Sequence, residues 1–123
     1  MNPDIKEKWV TALRSGEFKQ GRAMLRSKND QYCCLGVLSE LAAKEGVVSR
    51  ALDINEYGYR YGSNSWSTLP SAVASWAGLP WSDDIGMLPE KAAERYGHPC
   101  LAELNDSGHY SFPVIADVIE EWL

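Results

Sequence analysis

The ten residues Gln31–Glu40 (Gln-Tyr-Cys-Cys-Leu-Gly-Val-Leu-Ser-Glu) constrain this chain more than any other stretch. Two adjacent cysteines stand where an extended segment hands over to a helix, and the run from Tyr32 to Leu38 is almost continuously apolar. Such a helix needs a core around it, and cysteine is among the most buried residue types. A helix N-terminus can also lower a thiol pKa and present a thiolate. The same segment therefore reads as packing or as the seat of a nucleophile.

The flanking pattern defines the other elements. Asn2-Pro3-Asp4 combines a cap, a proline at the first helical position and an acidic first turn. Ile5, Trp9, Ala12 and Leu13 then share one face, and Ser15-Gly16 closes that helix. Ala23–Arg26 and Gln31–Cys33 are predicted as short strands around a Ser-Lys-Asn-Asp turn. A second helix is predicted from Cys34 to Glu45, with Leu35, Leu38, Leu41 and Ala42 at core spacing and Gly46 as its stop. Val47–Ser65 is the least regular part. A third helix runs from Thr68-Leu69-Pro70 to Ala77, a short one spans Pro89–Tyr96, and Ser111 caps a terminal helix. In the last of these, Phe112, Ile115, Ala116, Ile119, Trp122 and Leu123 fall on one face. The expected fold is α+β, a helix-rich single domain over 1–123 with a small antiparallel sheet or hairpin.

Composition narrows the function classes. Apolar residues make up 45% and charged residues 24%, as in an ordinary globular protein. No run approaches the roughly 20 apolar residues that cross a bilayer. The start of the chain lacks the regions of a signal peptide. Three cysteines do not make a disulfide framework, which suits a reducing cytoplasm. The net charge of −5 argues against general nucleic-acid binding. It is unevenly spread: residues 1–30 carry seven basic and four acidic side chains, residues 31–123 five and thirteen. A small anion fits the basic arm better than a long polyanion does.

Four groups of residues are candidates for chemistry. Cys34 could act as a nucleophile with His98 or His109 as base and Asn105 or Asp106 as orienter, in the chain order of papain-like hydrolases. Against it, a thiol in apolar surroundings is inert, and each histidine stands beside a loop signal, Pro99 or Gly108. Cys33, Cys34, His98 and Cys100 supply four metal donors, but adjacent cysteines diverge and no Cys-x-x-Cys pair exists, so no metal and no cofactor is expected. In the basic arm, Arg14, Lys19, Arg22, Arg26 and Lys28 surround Gly16, Gln20 and Gly21. Glycines let backbone approach a phosphate and arginine forks grip its oxygens, so Arg22 and Arg26 are the preferred anion ligands. Tyr57, Tyr59 and Tyr61 would project from one face of an extended segment ending near Trp66. Tyr59, Tyr61 or Trp66 could stack on a base, or the rings could close over the core beside Trp76 and Trp81. Asn105-Asp106-Ser107-Gly108 reads as an Asx turn, or as acceptors for ribose hydroxyls or a base edge.

The pattern Trp9…Ala12-Leu13-Arg14-Ser15-Gly16-Glu17-Phe18-Lys19-Gln20-Gly21…Tyr32-Cys33-Cys34-Leu35-Gly36-Val37-Leu38 resembles a family of small bacteriophage and prophage proteins, mostly without assigned function. The resemblance continues through Leu69-Pro70…Val73…Trp76…Gly78-Leu79 and Leu104-Asn105-Asp106…Gly108…Ser111-Phe112. Ser39 departs from it, where relatives often carry a further cysteine. The resemblance implies a phage accessory protein in the host bacterial cytoplasm, and by itself no reaction. Small acidic phage proteins include groups that counter host immunity by binding cyclic nucleotides or ADP-ribose derivatives. By that analogy of context, the expected function is sequestration of a small nucleotide-like ligand without cleavage. Arg22 and Arg26 would hold phosphate, Tyr59, Tyr61 or Trp66 a base, and Asn105 or Asp106 polar edges. Direct inhibition of a host protein partner and a cysteine-dependent hydrolase are the alternatives. A homo-oligomer suits the first reading, because subunit interfaces supply the deep pockets that short chains lack.

Overall fold

A computed structural model describes residues 1–53, 58–62 and 65–123. Among them are six helices and two two-stranded sheets, an α+β fold around one hydrophobic core. Helix α1, Pro3–Arg14, starts as its sequence dictates: Asn2 Oδ1 accepts from the amides of Asp4 (2.9 Å) and Ile5 (3.5 Å), with Pro3 in the first turn. Its buried face is Ile5, Trp9, Val10 and Leu13. That face lies chiefly along the terminal helix α6, Phe112–Trp122, and Arg14 reaches across to Asp117 and Glu120 of α6.

Helix α2, Cys34–Lys44, is the centre of the fold. Every residue from Cys34 to Glu40 is buried, polar Ser39 and charged Glu40 included. Its first peptide is held from outside the helix. Trp9 Nε1 donates to the Cys34 carbonyl (2.9 Å) and the Cys34 amide donates to Asn105 Oδ1 (3.2 Å). Cys33 is the N-cap, its sulfur accepting from the Gly36 amide (3.4 Å). Gly36 has a separate reason to be glycine. A Cβ there would run into the Leu25 carbonyl oxygen and lie 2.8 Å from Leu25 Cα, so the neighbouring segment crosses α2 against bare backbone.

The strands differ from the sequence expectation. Ala23–Arg26 is not a strand: β1 is Lys19–Gln20, and it pairs in parallel with β2, Gln31–Tyr32. Only an isolated antiparallel bridge joins Arg26 to Tyr32. The reason is local, because Ala23 sits at φ +67°, a left-handed conformation that breaks an extended run. The antiparallel hairpin lies instead in the stretch read as least regular. There β3, Arg50–Asp53, pairs with β4, Gly58–Tyr61, with Arg50 opposite Tyr61. Helices α3, Ser71–Trp76, and α4, Glu90–Tyr96, fall where the prolines and glycines put them. Helix α5, Leu101–Asp106, was not expected, and Asn105 and Asp106 form its last turn rather than a free Asx turn.

The close crossing at Gly36 generates a test. Gly36→Ala should destabilise the fold by about 3 kcal/mol, the upper end of overpacking costs, because the obstruction is main chain. Gly46→Ala, where a Cβ meets nothing within 4 Å, should cost only about 1 kcal/mol of left-handed backbone strain. Urea midpoints of the two variants measure the difference, and equal midpoints would remove the close-crossing argument.

Candidate functional site

The sequence candidates separate into two clusters. The first is structural and lies against α2. Glu40 is 3% exposed, and one of its oxygens, Oε1, accepts from Tyr61 Oη (2.8 Å) and Arg26 Nη1 (3.5 Å) and forms an ion pair with Arg50 Nε (3.2 Å). Arg26 is further held by Asp30 at 2.8 Å. Its guanidinium carbon lies 3.9 Å from the Tyr59 ring centroid and 5.2 Å from that of Tyr32. Burial raises the Tyr61 hydroxyl well above the usual phenol range, and the Glu40 carboxylate raises it further. Tyr59 and Tyr61 do share a face of β4, but that face turns inward onto this network; Tyr57 lies outside the described residues. Arg26, Tyr59 and Tyr61 are thus occupied by their own chain. Trp66 is partly exposed and lies outside the second cluster.

That second cluster is a cleft of about 390 Å³ between the segment after β1 and the α5–α6 junction. Its frame is a satisfied hydrogen-bond lattice. Asn105, 1% exposed, accepts from Gln20 Nε2 (3.0 Å) and the Cys34 amide through Oδ1, and donates through Nδ2 to the Gly21 carbonyl (2.9 Å) and Asp106 Oδ1 (3.1 Å). Gln20 also donates to the Tyr110 carbonyl (2.9 Å), and its Oε1 accepts from the Phe112 amide (3.1 Å). This last bond caps α6 from a distance, since the Ser111 side chain makes no capping bond. Asp106 Oδ1 accepts from the Ala23 amide (3.0 Å), which holds the left-handed turn beside Arg22. Asn105 and Asp106 therefore belong to the frame of the site.

What the frame leaves in the cleft are Arg22, His109, Tyr110, Ser111 and Val114. Arg22 is the informative one. Of the six arginines, the other five have carboxylate partners: Arg14 with Asp117 and Glu120, Arg26 with Asp30 and Glu40, Arg50 with Glu40, Arg60 with Asp53, and Arg95 with Glu121. Arg22 has none among the described residues. Its guanidinium lies over Gly108, beside the first turn of α6, where helical N–H groups add partial positive charge. Val114, 41% exposed, and Tyr110 give the same cleft an apolar side. Sequence reasoning singled out Arg22 but missed Gln20 as a frame residue and Tyr110, Ser111 and Val114 as lining. Nothing local marks them, because the two halves of the cleft are 85–92 positions apart in the chain.

The cysteines lie elsewhere. Cys34 is fully buried, and its sulfur donates to the Leu101 carbonyl at 3.7 Å. His98 instead faces Glu103 (3.9 Å) and packs edge-on to Tyr110, so no Cys34–His98 pair forms. Burial pushes the Cys33 thiol up to about 11 and raises Cys34 well above its ordinary value, with Cys33 adding to the rise. Among the described residues, no group of three or more His, Cys, Asp or Glu side chains converges to hold a metal ion. None of the described helices is long and apolar enough to cross a membrane.

Iodoacetamide at pH 8 should therefore label Cys34 slowly in native protein and rapidly in urea; rapid native labelling would restore a reactive thiol. Because a thiol raised from 9.0 to about 11 stays protonated in the fold after it ionises in the unfolded chain, stability should be constant below pH 9 and fall as pH rises through 11. Urea midpoints across pH 7–11 check the sign.

No curated protein and no solved structure gives a significant match to the chain. One family model does match, and it spans residues 1–123. By that match the chain belongs to the DUF8296 family, which is described as a domain of unknown function.

Proposed function

We propose that the protein binds a small nucleotide-derived anion in the cleft between Gly21–Arg22 and the α5–α6 junction, and holds it without converting it. The observation that carries this reading is Arg22, an arginine in a concave site with no carboxylate partner among the described residues. A guanidinium presents several N–H donors in a fork that matches phosphate oxygens. Val114 and Tyr110 offer the apolar surface that a nucleoside needs beside its phosphate. The cleft volume lies within the range of small-molecule sites. Binding rather than turnover is favoured because the three thiols are buried, burial raises the pKa of each, and none lines the cleft. With this goes the proposed setting: a phage or prophage accessory protein in the bacterial cytoplasm that sequesters a nucleotide signal of host immunity.

The test is a thermal-shift panel of AMP, ADP-ribose, NAD, cyclic ADP-ribose isomers, and cyclic di- and trinucleotides. At about 100-fold above Kd, a ligand that binds only the folded state adds roughly 2.7 kcal/mol, which for a chain this short raises Tm by roughly 10 °C. The expected result is such a shift with one class of nucleotide, lost in Arg22→Ala, and the ligand recovered intact on heating. A shift that Arg22→Ala retains would move the site elsewhere, and a recovered product would make the protein an enzyme.

A second reading is favoured by one feature. Trp81 is 73% exposed and Met87 51% exposed, on a loop in which the Asp83 carboxylate accepts from the Gly86 (2.9 Å) and Met87 (3.0 Å) amides. An exposed tryptophan suits the anchor of a protein interface. Inhibition of a host protein would show as one discrete photo-crosslinked species from a probe at position 81. Diffuse labelling across bacterial extract would count against it.

A further inference from the structure

Among the described residues Arg22 has no carboxylate partner, and its guanidinium rests over Gly108. A Cβ added to Gly108 would overlap Arg22 Nη2, lie 2.8 Å from Cζ and 3.3 Å from Nη1. The guanidinium therefore occupies the space in which any other residue at 108 would carry its side chain. The backbone that offers this space is itself anchored. Ser107 ends α5 with its hydroxyl donating to the Leu104 carbonyl (2.8 Å), the His109 amide donates to Ser107 Oγ (3.3 Å), and α6 begins at Phe112, shortly after Gly108.

A left-handed turn alone explains a glycine, and Gly108 has φ +80°. Other glycines of the same kind show what that explanation covers. At Gly97 (φ +74°), which ends α4, an added Cβ meets nothing within 4 Å. The contact with Arg22 is thus additional to the turn. It has a chemical consequence as well. An arginine paired with carboxylates spends its N–H donors on them, whereas one that rests against bare backbone keeps them for a ligand.

We propose that Gly108 is the positioning residue of the cleft: its missing side chain is the seat that holds Arg22 ready for the phosphoryl group of a 5′-phosphorylated nucleoside. The phosphate then lies at Arg22, and the nucleoside extends along Tyr110 and Val114. This inference rests on the anion-binding reading of the same cleft. It adds the class of ligand, a phosphate ester with an attached nucleoside, and the residue that sets the geometry.

The experiment is a double-mutant cycle read by isothermal titration with AMP and ADP-ribose. The proteins are wild type, Arg22→Ala, Gly108→Ala, Gly108→Asn, the two double variants with Arg22→Ala, and Gly97→Ala. Asparagine tolerates the left-handed region, so Gly108→Asn adds the Cβ with less backbone strain than alanine does. Gly97→Ala carries comparable strain with no neighbour, and serves as the control. Arg22→Ala and both Gly108 variants should each weaken binding about tenfold or more, as losing a charged hydrogen bond does. Adding a Gly108 substitution to Arg22→Ala should weaken it no further, and Gly97→Ala should bind as wild type. Wild-type affinity in both Gly108 variants, with loss in Arg22→Ala, overturns the seat and leaves the anion reading standing. So does a Gly108 effect of the same size when Arg22 is absent. Failure of wild type to bind either nucleotide overturns the anion reading and the seat with it.

Discussion

The buried carboxamide of Asn105 is the interaction on which the rest of the arrangement depends. It ties α5 to two stretches of chain that are remote from it in sequence: the first amide of α2, and the Gln20 side chain with the neighbouring Gly21 carbonyl. A helix begins with four N–H groups that its own turns cannot satisfy. In α2 that need is met by Asn105 at Cys34 and by the Cys33 sulfur at Gly36. Each buried group left without its partner would cost about 1–3 kcal/mol, so one side chain holds several such costs off at once. Because Asn105 lies in the last turn of α5, fixing it also fixes the turn through Gly108 and the start of α6. The cleft is the gap this bracing leaves.

Glu40 plays the corresponding part on the other side of α2. A carboxylate at the centre of a core is tolerated only with charge and hydrogen-bond partners around it. Here Arg26, Arg50 and Tyr61 converge from three segments on a single oxygen. The hairpin β3–β4 is thereby tied to the central helix, and the tyrosines of β4 become part of the protein interior. Two arginines four positions apart end in opposite conditions as a result. Arg26 is closed between two aromatic rings and two carboxylates, while Arg22 lines the cleft with no carboxylate partner among the described residues.

Local chemistry was legible wherever a few consecutive residues decided the outcome. Asn2-Pro3-Asp4 starts α1, Gly97 ends α4, and the apolar run from Cys34 to Leu38 is buried throughout. The terminal stripe from Phe112 to Ile119 is core, as its spacing required. The misreadings share a cause. Ala23–Arg26 has strand-like composition, but Asp106, more than eighty residues later, accepts from the Ala23 amide in a left-handed turn. The turn reading of Asn105-Asp106 rested on residue types that favour turns, and their long-range bonds keep them helical instead. The small antiparallel hairpin was expected as an element and placed in the wrong segment, because four-residue strands carry little pattern of their own.

The sequence by itself determined the helical frame, the burial of the cysteine-rich helix and the surplus of basic residues in the first thirty positions. Those properties depend on neighbours in the chain, through capping, side-chain period and charge count. Only the tertiary structure decided which polar residues remain available. Arg22 and Arg26, or Asn105 and Ser111, are equivalent donors and acceptors when read along the chain. Whether each is spent on folding or left to a ligand depends on partners such as Asp30, Glu40, Gln20 and Gly108, and long-range packing alone brings most of these into reach.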